Sequence, residues 1–155
     1  MRLMKLALVV TLVAAAYGGV QAQADPTVGT WKLNLAKTKY NAGQPPKSGT
    51  VVIAAAGQGI KLTSDTILAD GTARKISYTA TYDGKDAVVT GTPDYDGMSL
   101  KKTANGVEGS RKKAGKVVQT YTRVVSADGK TMTVTSTGTN AAGGKVDNVQ
   151  VYDKQ

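Results

Sequence analysis

The chain has 155 residues, with 20 Lys+Arg against 11 Asp+Glu, no Cys, no His and a single Glu, Glu108. The missing Cys excludes disulfides and thiol chemistry. The missing His removes the commonest general base, metal ligand and triad partner, so the expectation is a non-enzymatic protein with no cofactor and no metal.

Arg2 and Lys5 precede an apolar run from Leu6 to Ala16, and Ala22-Gln23-Ala24 is a small-x-small cleavage site. Val20-Gln21-Ala22 offers a second one. Together these features predict a signal peptide over 1–24 and one domain over 25–155, secreted or periplasmic. The apolar run is shorter than the about 20 residues that a bilayer span needs, and no membrane span is expected after cleavage. Without Arg2 and Lys5 the formal charge of +9 becomes +7. Such a charge favours anionic surfaces, lipid head groups or polysaccharide, as partners. Nucleic acid is not expected for an exported chain.

The first element of the domain is 28–35. Trp31, Leu33 and Leu35 alternate with Thr30, Lys32 and Asn34, which is the period of a half-buried strand. Gly29 in front of it allows close backbone approach. A polar connection follows over 36–47, where Pro45-Pro46 excludes a helix. Turn signals then recur at Ala69-Asp70-Gly71, Asp83-Gly84, Asp96-Gly97, Asn105-Gly106, Asp128-Gly129 and Gly143-Gly144. The runs between them are rich in Val, Thr, Ile and Tyr. They predict strands over 49–55, 59–68, 73–82, 86–91, 97–104, 107–112, 116–126, 130–137 and 145–152. No stretch of 25–155 keeps a helical apolar spacing.

Ile76, Tyr78, Ala80 and Tyr82 share one strand face, and Met132 and Val134 another. Val149 and Val151 oppose Gln150 and Tyr152. Short connections make successive strands antiparallel neighbours. The predicted fold is therefore all-β, an antiparallel up-and-down β-barrel built from a meander of about eight to ten strands, which hides its own edges. A two-sheet sandwich satisfies the same alternation. A membrane barrel would need aromatic girdles, which six Tyr, one Trp and no Phe over 25–155 do not supply.

Gly29-Thr30-Trp31-Lys32-Leu33 resembles the opening of the calycin superfamily, the lipocalins and fatty-acid-binding proteins. Residues 123–134 and the closing run Val149-Gln150-Val151-Tyr152-Asp153-Lys154 resemble the late hairpin and last strand of the fatty-acid-binding branch. The resemblance implies a barrel around a cavity for a small apolar or amphipathic ligand, with Gln150 and Tyr152 inside. That branch carries Arg and Tyr at this last-strand pair. With Gln150 in place of the Arg, a neutral polar head fits that position better than a fatty-acid anion. The branch also inserts two helices as a lid, for which 36–47 is too short. In lipocalins a late Arg packs across the first-strand Trp, a structural role that falls here to Arg123 over Trp31.

The candidate ligand-binding residues are Tyr152, Gln150, Arg123, Tyr78 and Tyr82, with Gly29 and Trp31 as structural residues. Lys101, Lys102, Arg111, Lys112, Lys113 and Lys116 form the densest basic cluster and the candidate outer surface for anionic partners. With Asn105-Gly106 as a two-residue turn, Leu100 pairs with Arg111, and an inward Leu100 brings cationic groups into the lumen. Asp94-Tyr95-Asp96-Gly97 is expected to be a turn with two solvated carboxylates rather than a Ca²⁺ loop.

Overall fold

The structure, a computed structural model, describes residues 25–41 and 43–155; the expected signal peptide over 1–24 lies outside them. The strands are β1 (Gly29–Leu33), β2 (Lys39–Tyr40), β3 (Ser48–Ala56), β4 (Gly59–Ile67), β5 (Ala73–Thr81), β6 (Ala87–Thr90), β7 (Gly97–Thr103), β8 (Gly106–Lys113), β9 (Lys116–Val125), β10 (Thr131–Thr139) and β11 (Lys145–Lys154). β1 and then β3 to β11 each pair antiparallel with the next, and β11 returns to β1. The sheet closes into an up-and-down barrel, as the alternation predicts, and not into a sandwich. Among the described residues there is no helix.

β2 is the element missing from the sequence reading. β1 stops at Leu33 rather than running to Leu35, because the chain leaves the sheet in a turn in which Lys37 N donates to Asn34 O at 3.3 Å. Leu35 is consequently exposed rather than facing the core with Trp31 and Leu33. The chain then rejoins the same edge of β11 as β2, with Tyr40 opposite Asn148.

The turn glycines divide into two groups. Gly71, Gly84, Gly129 and Gly143 have positive φ, as tight turns require. Gly97 and Gly106 do not; they begin β7 and β8. A Cβ on Gly106 would sit 1.9 Å from the Arg123 carbonyl oxygen, so this glycine is selected by close strand approach. The β7–β8 turn is thus Ala104-Asn105, and Leu100 pairs with Gly109, with Arg111 opposite Met98. The expected pairing was off by two residues, which keeps every side chain on its face.

One end of the barrel is packed solid. Ile53, Ile60, Leu100, Val107 and Val125 are buried there with Trp31, which is fully enclosed. A turn at Asp25–Thr27 seals it. Trp31 Nε1 donates to Thr27 O at 2.8 Å, Thr27 Oγ1 donates to Asp25 Oδ1 at 2.7 Å, and the Tyr82 hydroxyl donates to Asp25 Oδ2. Burial alone would raise the Asp25 pKa, but the hydrogen bonds from Tyr82 and Thr27 outweigh it and hold this carboxyl below its usual value. The ring of Trp31 is covered by Lys154, 5.1 Å from its centroid, and not by Arg123 as the lipocalin resemblance implies. Lys154 is the direct register partner of Trp31, whereas Arg123 points into the barrel.

Trp31→Ala is expected to destabilise the protein by about 3–5 kcal/mol, read as a lowered urea midpoint; an unchanged midpoint would contradict its place in the core. The stability contributed by the lowered pKa of Asp25 is present above its unfolded value of 3.8 and is lost as pH falls through the lower folded value. The melting-temperature gap between wild type and Asp25→Asn should therefore be full at neutral pH and shrink below pH 3.8. A gap that ignores pH would show that the charge on Asp25 does not hold the seal.

Candidate functional site

The other half of the barrel is hollow. A cavity of about 840 Å³ extends from the middle of the barrel to its opposite end, within the range of small-molecule sites. Its walls combine apolar side chains such as Val51, Leu62, Met98 and Met132 with a polar cluster from β8, β9, β10 and β11.

Two arginines dominate that cluster. Arg111 lies inward on β8, its guanidinium carbon 5.0 Å from the Tyr95 ring centroid and 4.6 Å from that of Tyr121. Its Nη1 donates to Gln119 Oε1 at 2.8 Å and to Ser136 Oγ at 3.1 Å. Arg123, on β9, is only 3% exposed. Its Nη1 donates to the Tyr78 hydroxyl at a long 3.4 Å. Among the described residues, Arg111 Nε, Arg123 Nε, Arg123 Nη2 and the Tyr121 hydroxyl are buried without a hydrogen-bond partner. The acids that border the cavity are Asp70 and Asp94, both in loops at its mouth, and neither arginine forms an ion pair among the described residues. Burial raises the pKa of Tyr121 and of Tyr152, so both phenols are neutral donors rather than countercharges.

Gly109 makes room for this arrangement. A Cβ there would meet the Ser99 carbonyl oxygen at 2.2 Å and the Tyr121 ring at 2.9 Å. The ring of Tyr121 lies against the bare backbone of β8, between the two arginines' levels.

Of the residues singled out from the sequence, Tyr152, Gln150, Arg123 and Tyr78 all line this one cavity. Gln150 Nε2 donates to the Tyr40 hydroxyl at 2.7 Å, and burial pushes the Tyr40 phenol up to about 12 despite that bond. Val151, on the outer face, is also buried, because the 34–38 turn lies over it: Asn34 N donates to Val151 O at 2.8 Å, and Val151 N donates to Thr38 Oγ1 at 3.0 Å. Tyr82 is not brought to the cavity; it belongs to the sealed end. Arg111 does not belong to the outer basic cluster, being inside the barrel, while Lys112 and Lys113 pair with Asp86 and Asp96 at 2.7 and 3.7 Å. Tyr95, Gln119, Tyr121 and Ser136 were not singled out in the sequence; the inward phase of Gln119 and Tyr121 on β9 and of Ser136 on β10 follows from the strand period, whereas Tyr95 comes from the loop between β6 and β7, and nothing local marks any of them as a site.

At the mouth, Gly43, Gln44 and Pro46 line the cavity, with Pro46 buried. Asp94, expected to be a solvated turn residue, is half-buried and joins three elements. Its Oδ1 accepts from Ala141 N at 3.0 Å, in the β10–β11 loop, and its Oδ2 pairs with Arg74 Nη1 at 3.4 Å, on β5. The loop after β6 is thereby tied across the rim to the loop before β11.

No protein-family model matches this chain, and no curated protein does. Among solved structures it is similar to zebrafish ileal bile acid-binding protein complexed with cholic acid, with a TM-score of 0.50 and 12% identity over 84% of this chain and 99% of that one. The fold is that of a calycin-type barrel. The likeness spans the ring and comes without appreciable sequence identity, so the polar cluster inside this calycin-type barrel has to be read from its own residues.

Asp94→Ala is expected to free the rim. In stopped-flow fluorescence, association and dissociation of a cavity-bound probe should accelerate together while Kd changes little. Unchanged rates would show that the Asp94 bridge does not control passage through the mouth.

Proposed function

We propose that this protein is a non-enzymatic carrier that takes a small amphipathic molecule, with an anionic head and an apolar body, into its barrel. The observation that supports this most directly is the pair of guanidinium groups, Arg123 buried and Arg111 half-buried, that face the cavity without an ion-pair partner among the described residues. A buried charge lacking its partner is costly, and an ionised group brought in by a ligand offsets that cost. A charge-assisted, bidentate bond to guanidinium is also the strongest polar contact available here. The apolar walls accept the rest of the molecule, as a cavity with few placed polar groups does. The bound cholic acid in the zebrafish protein adds support for ligand binding at the level of the fold.

Gln150 carries no charge, and from that position alone a neutral head is the better fit. The charge comes instead from β8 and β9, which moves the proposed head group away from the last strand and toward Arg123. Export goes with this reading, supported by the basic start, the apolar run and Ala22-Gln23-Ala24. An exported carrier would meet its ligand in the periplasm or outside the cell.

The test is solvent extraction and native mass spectrometry of the purified protein, followed by titration with an anionic naphthalene sulfonate probe. A probe that gains fluorescence and is displaced by dodecanoate is expected. Arg123→Gln should weaken it by about 1.5–3 kcal/mol, the worth of a hydrogen bond to a charged group. An empty barrel with no displaceable probe would contradict the proposal.

A further inference from the structure

The two arginines lie at different depths. Gln119 and Arg123 both point inward on β9, four residues apart, which is about 13 Å along a strand. Arg111 is the register partner of Gln119, so it stands at the upper level, near the mouth, and Arg123 at the lower. Tyr121 sits between them, with its hydroxyl buried and without a partner among the described residues. Buried donors are left over at both levels, Arg111 Nε above and Arg123 Nε and Nη2 below. A single carboxylate against Arg123 would leave the positive charge at Arg111 uncompensated, since its hydrogen-bond acceptors, Gln119 and Ser136, are neutral.

We propose that the preferred ligand carries two anionic groups, one bound at Arg123 in the depth of the cavity and one at Arg111 below its mouth, joined by an apolar or amphipathic body. This rests on the reading of the cavity as an anion-binding site and specifies its ligand class: α,ω-dicarboxylates, or other molecules with an acid at each end. Two inward charges that form no ion pair among the described residues make a pattern that a single-headed amphiphile does not satisfy.

The experiment compares three ligands of one chain length by isothermal titration at neutral pH: dodecanoate, dodecanedioate and the monomethyl ester of dodecanedioate. Apolar burial alone ranks dodecanoate first, because its tail end is the least polar. Two charge-assisted contacts instead make dodecanedioate the tightest, by about tenfold or more over the monoester. Arg111→Gln should reduce the advantage of the diacid over the monoester to near unity. Dodecanoate or the monoester binding as tightly as the diacid to the unmodified protein would overturn the dianion inference and leave the anionic carrier standing. Failure of all three to bind would overturn both. The comparison on the unmodified protein needs no variant to fold.

Discussion

Trp31 pairs with Val51 on one side and with Lys154 on the other, and this double pairing turns a meander into a ring. Once the sheet is closed, every strand has an inside and an outside, and the strand period of two decides which residues share the interior. The same closure removes the exposed edges that an open meander would offer to other chains. The Lys154 ammonium over the indole and the Thr27 carbonyl on its N–H hold Trp31 at this seam. The inward positions of the lower half are filled by Ile, Leu and Val. Those of the upper half combine Val51, Leu62, Met98 and Met132 with Arg, Gln, Ser and Tyr, which do not pack into an apolar plug and leave a cavity. Charge placed there is poorly screened, so two guanidinium groups govern the chemistry of the interior.

Much of the fold was legible because its signals are local. The alternation around Trp31, the Asp-Gly turns and the spacing of the Val- and Thr-rich runs are read within a few residues, and they correspond to strands and hairpins apart from Leu35, which leaves the sheet, and Asp96-Gly97, where Gly97 begins β7. The choice between Tyr152 and Val151 as the inward residue was not local. The alternation sets Val149 and Val151 against Gln150 and Tyr152 without saying which pair faces in, and only the calycin resemblance favoured the tyrosine. Tyr152 and Val151 are both buried, because a turn following β1 lies over the outer face of β11 and shelters Val151. A sequence read strand by strand has no means of placing that turn.

The site was less legible, for a similar reason. Arg111 lies among Lys112, Lys113 and Lys116 in the chain and reads as part of a solvated basic run. Its inward phase depends on pairing with Met98 across a hairpin whose turn is Ala104-Asn105. Gly106 looked like a turn glycine because Asn precedes it, yet it serves close strand packing. Asp94 looked solvated because it lies in a Pro- and Asp-containing turn. Its partners, Arg74 and Ala141, lie 20 and 47 residues away and meet it only at the rim of the closed barrel. Residues whose role arises from ring closure carry no mark in their own neighbourhood.

The most direct measurement is the ionisation of a bound carboxylate. Dodecanoate isotopically labelled at its carboxyl carbon can be followed by NMR through an acid titration while it is held in the barrel. Against uncompensated guanidinium groups, the bound carboxylate should stay ionised well below the pH at which the free acid takes up its proton, and Arg123→Gln should move it back toward the free value. A bound carboxyl that protonates as it does in water, or one indifferent to Arg123, would contradict the view that the buried arginines form the binding site.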